Sequence, residues 1–157
     1  MKYVTLLLLT LSIAGCTAEA ARRDTTAPAD TGPHRQVLAP SPSPLAVFSP
    51  AIRTGNLVFL SGQIGFKPGT RELADGGITA QAEQTLTNIS SLLEQIGLGM
   101  EDVVKCTVFL STMDDYAAVN EVYARYFPKD PPARSALAAS GLAFGAAVEI
   151  ECIAAAR

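Results

Sequence analysis

Residues 17–44 contain few large apolar side chains and end in Ala39-Pro40-Ser41-Pro42-Ser43-Pro44. A stretch of Ala, Thr, Ser, Asp and Pro cannot bury enough surface to offset the entropy of ordering it. It reads as a disordered tether, semi-extended at its proline end. His34, the single histidine, falls in this tether and reads as a solvated linker residue. Folding is therefore left to residues 45–157, a length of 113 residues that suits one domain and shows no internal repeat.

What precedes the tether is an address. Met1-Lys2 leads into a short apolar run, Tyr3 to Ile13, and then Ala14-Gly15-Cys16. One positive charge followed by a run too short to span a bilayer is the pattern of a secretory signal. Small residues before a cysteine resemble the lipobox of bacterial lipoproteins, so residues 1–15 are expected to be removed and Cys16 to be lipidated. The expected product is exported, anchored to a membrane through its N-terminal lipid and facing the periplasm. Thr17, rather than an aspartate, follows the cysteine, which by the same resemblance favours the outer membrane.

Inside 45–157 the pattern alternates between two periods. Phe48–Arg53 and Leu57–Ile64 flank the turn signal Gly55-Asn56 and read as a hairpin. A helix is expected over 78–96, where Ala82, Leu86, Ile89, Leu93 and Ile96 form one stripe and Gly97 caps the end. Val103–Leu110 is β-branched and reads as a central strand. Thr112 with Asp114 and Asp115 opens a second helix, whose face carries Tyr116, Val119, Tyr123 and Phe127 before Pro128 stops it. Ala133–Ala138 and Ala147–Ala154 complete the set. The expected order is β-β-α-β-α-β-β, an α+β sandwich with a mixed β-sheet and two helices on one face. The other face must meet water or another subunit.

The chain has 12 Lys+Arg against 15 Asp+Glu, a net charge of −3, or −4 once Lys2 is removed with the signal. No basic stripe stands out, which speaks against a nucleic-acid partner. One histidine and three cysteines are too few for a His/Cys metal cage, and no metal site is expected. Cys106 and Cys152 fall on predicted inner strands. They read as buried free thiols, with a disulfide open to them in an oxidising compartment.

Two residues stand out chemically. Arg134 lies in a small, apolar strand, Ala133-Arg134-Ser135-Ala136-Leu137, with no acid nearby in sequence. A guanidinium on a sheet face is well shaped to grip a carboxylate. Glu149 shares one strand face with Glu151 and Ile153, while Val148, Ile150 and Cys152 take the other.

Ser61-Gly62-Gln63-Ile64, Val108-Phe109-Leu110, Val119-Asn120-Glu121-Val122-Tyr123, Pro132-Ala133-Arg134-Ser135 and Val148-Glu149-Ile150-Glu151 occur in this order across residues 46–155. In these motifs the chain resembles the Rid family, the YjgF/YER057c/UK114 group. The resemblance implies a chorismate-mutase-like fold and a homotrimer. It also implies hydrolytic deamination of reactive 2-imino or enamine acids to 2-ketoacids and ammonia at inter-subunit pockets, with no cofactor. It assigns Arg134 to the substrate carboxylate, Glu149 to the catalytic water, and Gly62 and Asn120 to the pocket lining. Phe48 stands where deaminating members usually carry Tyr, and Ala136 where many carry Cys. Phe48 keeps the ring without the hydroxyl, and Ala136 keeps its backbone N–H without the thiol. The alternatives on the same fold are a non-catalytic binder of small carboxylates and an interaction or chaperone-like trimer. The family's ribonuclease-like activity is disfavoured by the acidic balance and by the lack of a folded-domain histidine.

Overall fold

The computed structural model describes residues 35–38 and 47–156. The signal, Cys16 and most of the tether lie outside these residues. Within them a seven-stranded mixed sheet carries two helices on one face. The strands are β1 (Gln36–Leu38), β2 (Ala51–Thr54), β3 (Leu57–Leu60), β4 (Gln63–Ile64), β5 (Val103–Leu110), β6 (Ala133–Ala138) and β7 (Val148–Ala155). The helices are α1 (Gly77–Gln95) and α2 (Tyr116–Tyr126). The sheet runs β1-β2-β3-β7-β5-β6, with β4 also pairing to β7. Only β5 and β6 run parallel, joined through α2; the remaining pairs are antiparallel.

The α+β layout and the one-sided helical cover agree with the sequence expectation, but the element count does not. Gln36–Leu38, assigned to the disordered tether on composition, pairs antiparallel with β2. The unpaired edge of β2 supplies hydrogen-bond partners, and Leu38 packs partly on the core. Composition alone weighs neither. The expected strand Leu57–Ile64 is broken at Ser61-Gly62 into β3 and β4. The first expected strand begins only at Ala51, because Pro50 has no N–H to give a ladder.

The core lies between the helices and the covered sheet face. From α1, Ala82, Leu86, Ile89 and Leu93 are buried, as the stripe predicted, and Thr85 and Leu92 join them. Gly97 adopts φ +78°, and the N–H of Leu98 reaches back to the Leu93 carbonyl at 2.9 Å, closing the helix as expected of a glycine in the left-handed region. From α2 the buried residues are Val119, Val122 and Tyr123, with Phe127 just beyond the helix. Tyr116, read as part of that stripe, is 38% exposed. The helix begins one short 3-10 turn later than the cap at Thr112, and this turns Tyr116 away from the core.

Strand β5 sends Cys106, Val108 and Leu110 into the core, and β7 sends Val148, Ile150, Cys152 and Ala154. Cys106 and Cys152 face each other across the β5–β7 ladder with Cα atoms 4.1 Å apart and are joined as a disulfide. The bond closes a 46-residue separation that contains the whole of α2 and β6. Closing a loop of that size removes unfolded-state freedom worth about 3–4 kcal/mol in the chain-entropy account. Replacing both cysteines with Ala is expected to lower the unfolding midpoint markedly. Thiol labelling of the denatured, unreduced wild type should find neither cysteine free. Full labelling of both would show that the bond does not form in solution.

Candidate active site

Strand alternation sorts the predicted site residues into two groups. On β7, Val148 and Ile150 point to the helices, so Glu149 points to the open face. On β6, Arg134 is the ladder partner of buried Cys106 and points to the helix side, with Ala136 two residues on. Within one chain, then, the sheet itself separates Arg134 from Glu149.

The Glu149 group is built by close backbone approach. Gly62 sits in the break between β3 and β4, beside the ladder pair Ile64–Glu149. A Cβ on Gly62 would strike Glu149 Oε1 directly. Glycine leaves the carboxylate room to lie against its Cα, and a larger residue would displace it. The Phe48 loop is tied to the same spot. Ser61 Oγ donates to the Ser49 carbonyl at 2.7 Å, and Ser61 N–H donates to the Pro50 carbonyl at 3.0 Å. Phe48 itself is 44% exposed. Two amide side chains of α1 hold the surrounding backbone. Asn88 Nδ2 donates to the carbonyls of Ile64 and Phe66 at 3.1 and 3.0 Å, and Gln81 Oε1 accepts from the Ala147 N–H at 2.8 Å. Sequence reading missed both, because an amide on a helix looks like solvated surface. Burial, first, and the nearby Glu151 charge push the Glu149 carboxyl above the usual carboxylate range.

The Arg134 group is an aromatic and amide cradle on α2. Arg134 Nη2 donates to Asn120 Oδ1 at 2.7 Å and to the Tyr116 hydroxyl at 3.3 Å. The guanidinium carbon lies 4.6 Å from the Tyr123 ring centroid and 5.6 Å from that of Tyr116. Positions 116, 120 and 123 follow one helix face, which is why all three reach the same cation. None of these partners is a carboxylate, so the positive charge is positioned but not neutralised. The Tyr123 hydroxyl is buried with no hydrogen-bond partner among the described residues, and burial pushes its phenol up to about 12, against a smaller opposing pull from Arg134. The sequence had placed Tyr116 and Tyr123 in the core; their second role, as a seat for Arg134, shows only in the fold.

The structure thus sets Gly62 against Glu149, with the segment that follows Phe48 tied to Ser61 beside them, and separately joins Asn120 to Arg134, with Ala136 two residues on along β6. An unneutralised cation suits a small carboxylate. A carboxyl whose pKa is raised by burial, and which is only part-buried on the open face, suits proton exchange with water.

Comparison with known proteins places the fold in a family. Residues 39–156 match the family model described as Endoribonuclease L-PSP. A RutC family protein of Pyrococcus horikoshii is 45% identical over 114 residues, covering 73% of this chain and 90% of its own. The goat 2-iminobutanoate/2-iminopropanoate deaminase is 38% identical over 122 residues, covering 76% and 89%. Among solved structures, the Escherichia coli YjgF gene product superposes with a TM-score of 0.72 at 34% identity, over 78% of this chain and 99% of that one. Psychrobacter RidA gives 0.70 at 39%, over 76% and 97%. The fold and sequence together show that the chain belongs to the Rid/YjgF family.

Proposed function

We propose that this chain hydrolyses reactive 2-imino acids to 2-ketoacids and ammonia, at pockets formed where Arg134 of one copy meets Glu149 of the next. The observation that carries the reading is Arg134, fixed by an amide and two aromatic rings and, among the described residues, opposed by no carboxylate. Relatives named 2-iminobutanoate/2-iminopropanoate deaminase support the reaction class. Arg134 holds the substrate carboxylate and sets the imine carbon in place. Glu149 takes a proton from water as the water oxygen bonds to that carbon. That proton passes to nitrogen, giving a carbinolamine; the carbon–nitrogen bond then breaks as the hydroxyl oxygen forms the C=O bond, and Glu149 relays the hydroxyl's remaining proton to the departing nitrogen, so that the ketoacid and ammonia leave.

A contact between the helix-side edge and the open face is head-to-tail, because the two surfaces differ. Such contacts close into rings, and the Rid resemblance implies a ring of three. The open face also carries Val37, Phe59 and Leu137, each 40–46% exposed, a surface suited to burial against another copy. Arg134→Ala should weaken ketoacid binding more than about tenfold, and Glu149→Gln should cut kcat by about 10²-fold or more while sparing binding. Mixing the two inactive variants tests the shared site directly. Random reassembly should restore about a quarter of the wild-type sites, since each site needs one residue from each copy. Mixed samples as inactive as the separate variants would sink the shared pocket.

As the water-activating base, Glu149 must be ionised. Its raised pKa puts the acidic limb of kcat above the ordinary carboxylate range, with activity lost as pH falls through it. Glu151→Gln removes the lesser of the two causes. The limb is then expected to move to lower pH in a kcat–pH profile, and an unmoved limb would separate Glu151 from the site.

A second reading, a non-catalytic binder of small carboxylates, is favoured by Phe48 and Ala136, which remove a hydroxyl and a thiol from the usual pocket. A wild type that binds 2-oxobutyrate but does not turn over 2-iminobutyrate would establish it. We also propose that the chain is exported and lipid-anchored through Cys16, facing the periplasm. The Cys106–Cys152 disulfide supports an oxidising compartment. Mass spectrometry of the membrane fraction should find acyl mass on Cys16, and a product with an unmodified N-terminus elsewhere would rule the anchor out.

A further inference from the structure

We propose that the Tyr116 hydroxyl is the second arm of the carboxylate clamp, supplying from the Arg134 side a donor that Phe48 cannot. The inference rests on the reading that Arg134 takes a substrate carboxylate, and it deepens that reading. A guanidinium offers carboxylates two planar forks, Nη1 with Nη2 and Nε with Nη2. Both forks need Nη2. Here Nη2 is engaged twice, by Asn120 Oδ1 at 2.7 Å and by the Tyr116 oxygen at 3.3 Å. A carboxylate arriving at Arg134 therefore finds a free donor on Nη1 but no complete fork, and its second oxygen needs a donor from elsewhere.

Tyr116 is placed to give it. Its oxygen accepts from the cation, so its own proton must point away from Nη2, and no acceptor for that proton occurs among the described residues. The ring stands 5.6 Å from the guanidinium carbon, on the first residue of α2, and is 38% exposed, open to an incoming ligand. Tyr123 cannot do the same, because its hydroxyl is buried beneath the cation. Phe48 directly precedes the segment tied to Ser61, next to Gly62, in the half of the pocket that the proposed neighbour contributes. A hydroxyl missing there and a hydroxyl present at Tyr116 would then address one ligand from opposite sides.

The test uses the purified full chain, with 2-oxobutyrate as the binding probe and 2-iminobutyrate as the substrate. Tyr116→Phe removes one oxygen from a partly exposed ring, so the melting temperature should hold. The 2-oxobutyrate Kd, and KM for 2-iminobutyrate, should rise about tenfold or more, as for loss of a hydrogen bond to a charged group. The kcat should stay within about twofold, since the contact forms in the ground state as well as the transition state. Adding Phe48→Tyr to Tyr116→Phe should recover most of the lost affinity, which a merely structural role for Tyr116 would not allow. Unchanged affinity in Tyr116→Phe overturns the proposal. So does a loss that Phe48→Tyr fails to rescue, which would make Tyr116 a prop for Arg134. A wild type that shows the Tyr116-dependent binding without turnover sinks the deaminase reading and leaves the clamp standing. A wild type that binds no 2-oxobutyrate sinks the clamp as well.

Discussion

The pleat of β6 and β7, under a sheet covered on only one face, governs the rest of this molecule. Successive side chains on a strand point to opposite faces, and the ladder fixes which face each receives. Because Cys106, Val108 and Leu110 of β5 are buried under the helices, their neighbours in register inherit their side. Arg134 pairs with Cys106 and goes to the helix side. Glu149 pairs with Phe109 and goes to the open side. A slip of one residue in either ladder would exchange these faces and expose the core. The separation of the two charged groups is thus protected by the same burial that stabilises the domain.

Each of the two groups is held at an energetic cost that its surroundings offset. Arg134 gives up part of its hydration without gaining a carboxylate, and two aromatic faces and Asn120 compensate. Glu149 loses hydration against the Gly62 backbone with Glu151 nearby, and its carboxyl responds by holding its proton more tightly. The support for both comes from the packed layer between them. The fully buried Leu86, Ile89, Leu93, Leu110 and Ile150, each worth about 1.5–3 kcal/mol on burial, fix α1 to β5 and β7. The Cys106–Cys152 bond staples those two strands at the register position of Arg134.

Much of the frame was legible in the chain. Val103–Leu110 and Ala133–Ala138 coincide with their expected limits, since a continuous β-branched run and a stretch bounded by Pro132 and Ser140 leave little choice. The α1 stripe and its Gly97 cap were equally plain. What misled was context. A three-residue strand at Gln36–Leu38 draws its stability from the edge of β2 and has no local signal. At the break between β3 and β4, Gly62 meets the side chain of Glu149, almost ninety positions away, a proximity no short window shows. Gln81 and Asn88 read as helix surface until the backbone they satisfy is seen beside them.

The sequence by itself determined the layer order, the apolar stripes, the family, and the choice of Arg134 and Glu149 as the residues to watch. The layer order, the stripes and the two residues follow from periodicity and residue type, and the family from the resemblance of short motifs, all of them properties of short windows. Only the tertiary structure decided how those residues relate. It joined Cys106 to Cys152, left Tyr116 out of the core and against Arg134, and put the cation and the acid on opposite faces of one sheet. The physical reason is that register and side are fixed by long-range strand pairing. The energy of that pairing depends on partners dozens of residues away, and no local pattern carries it.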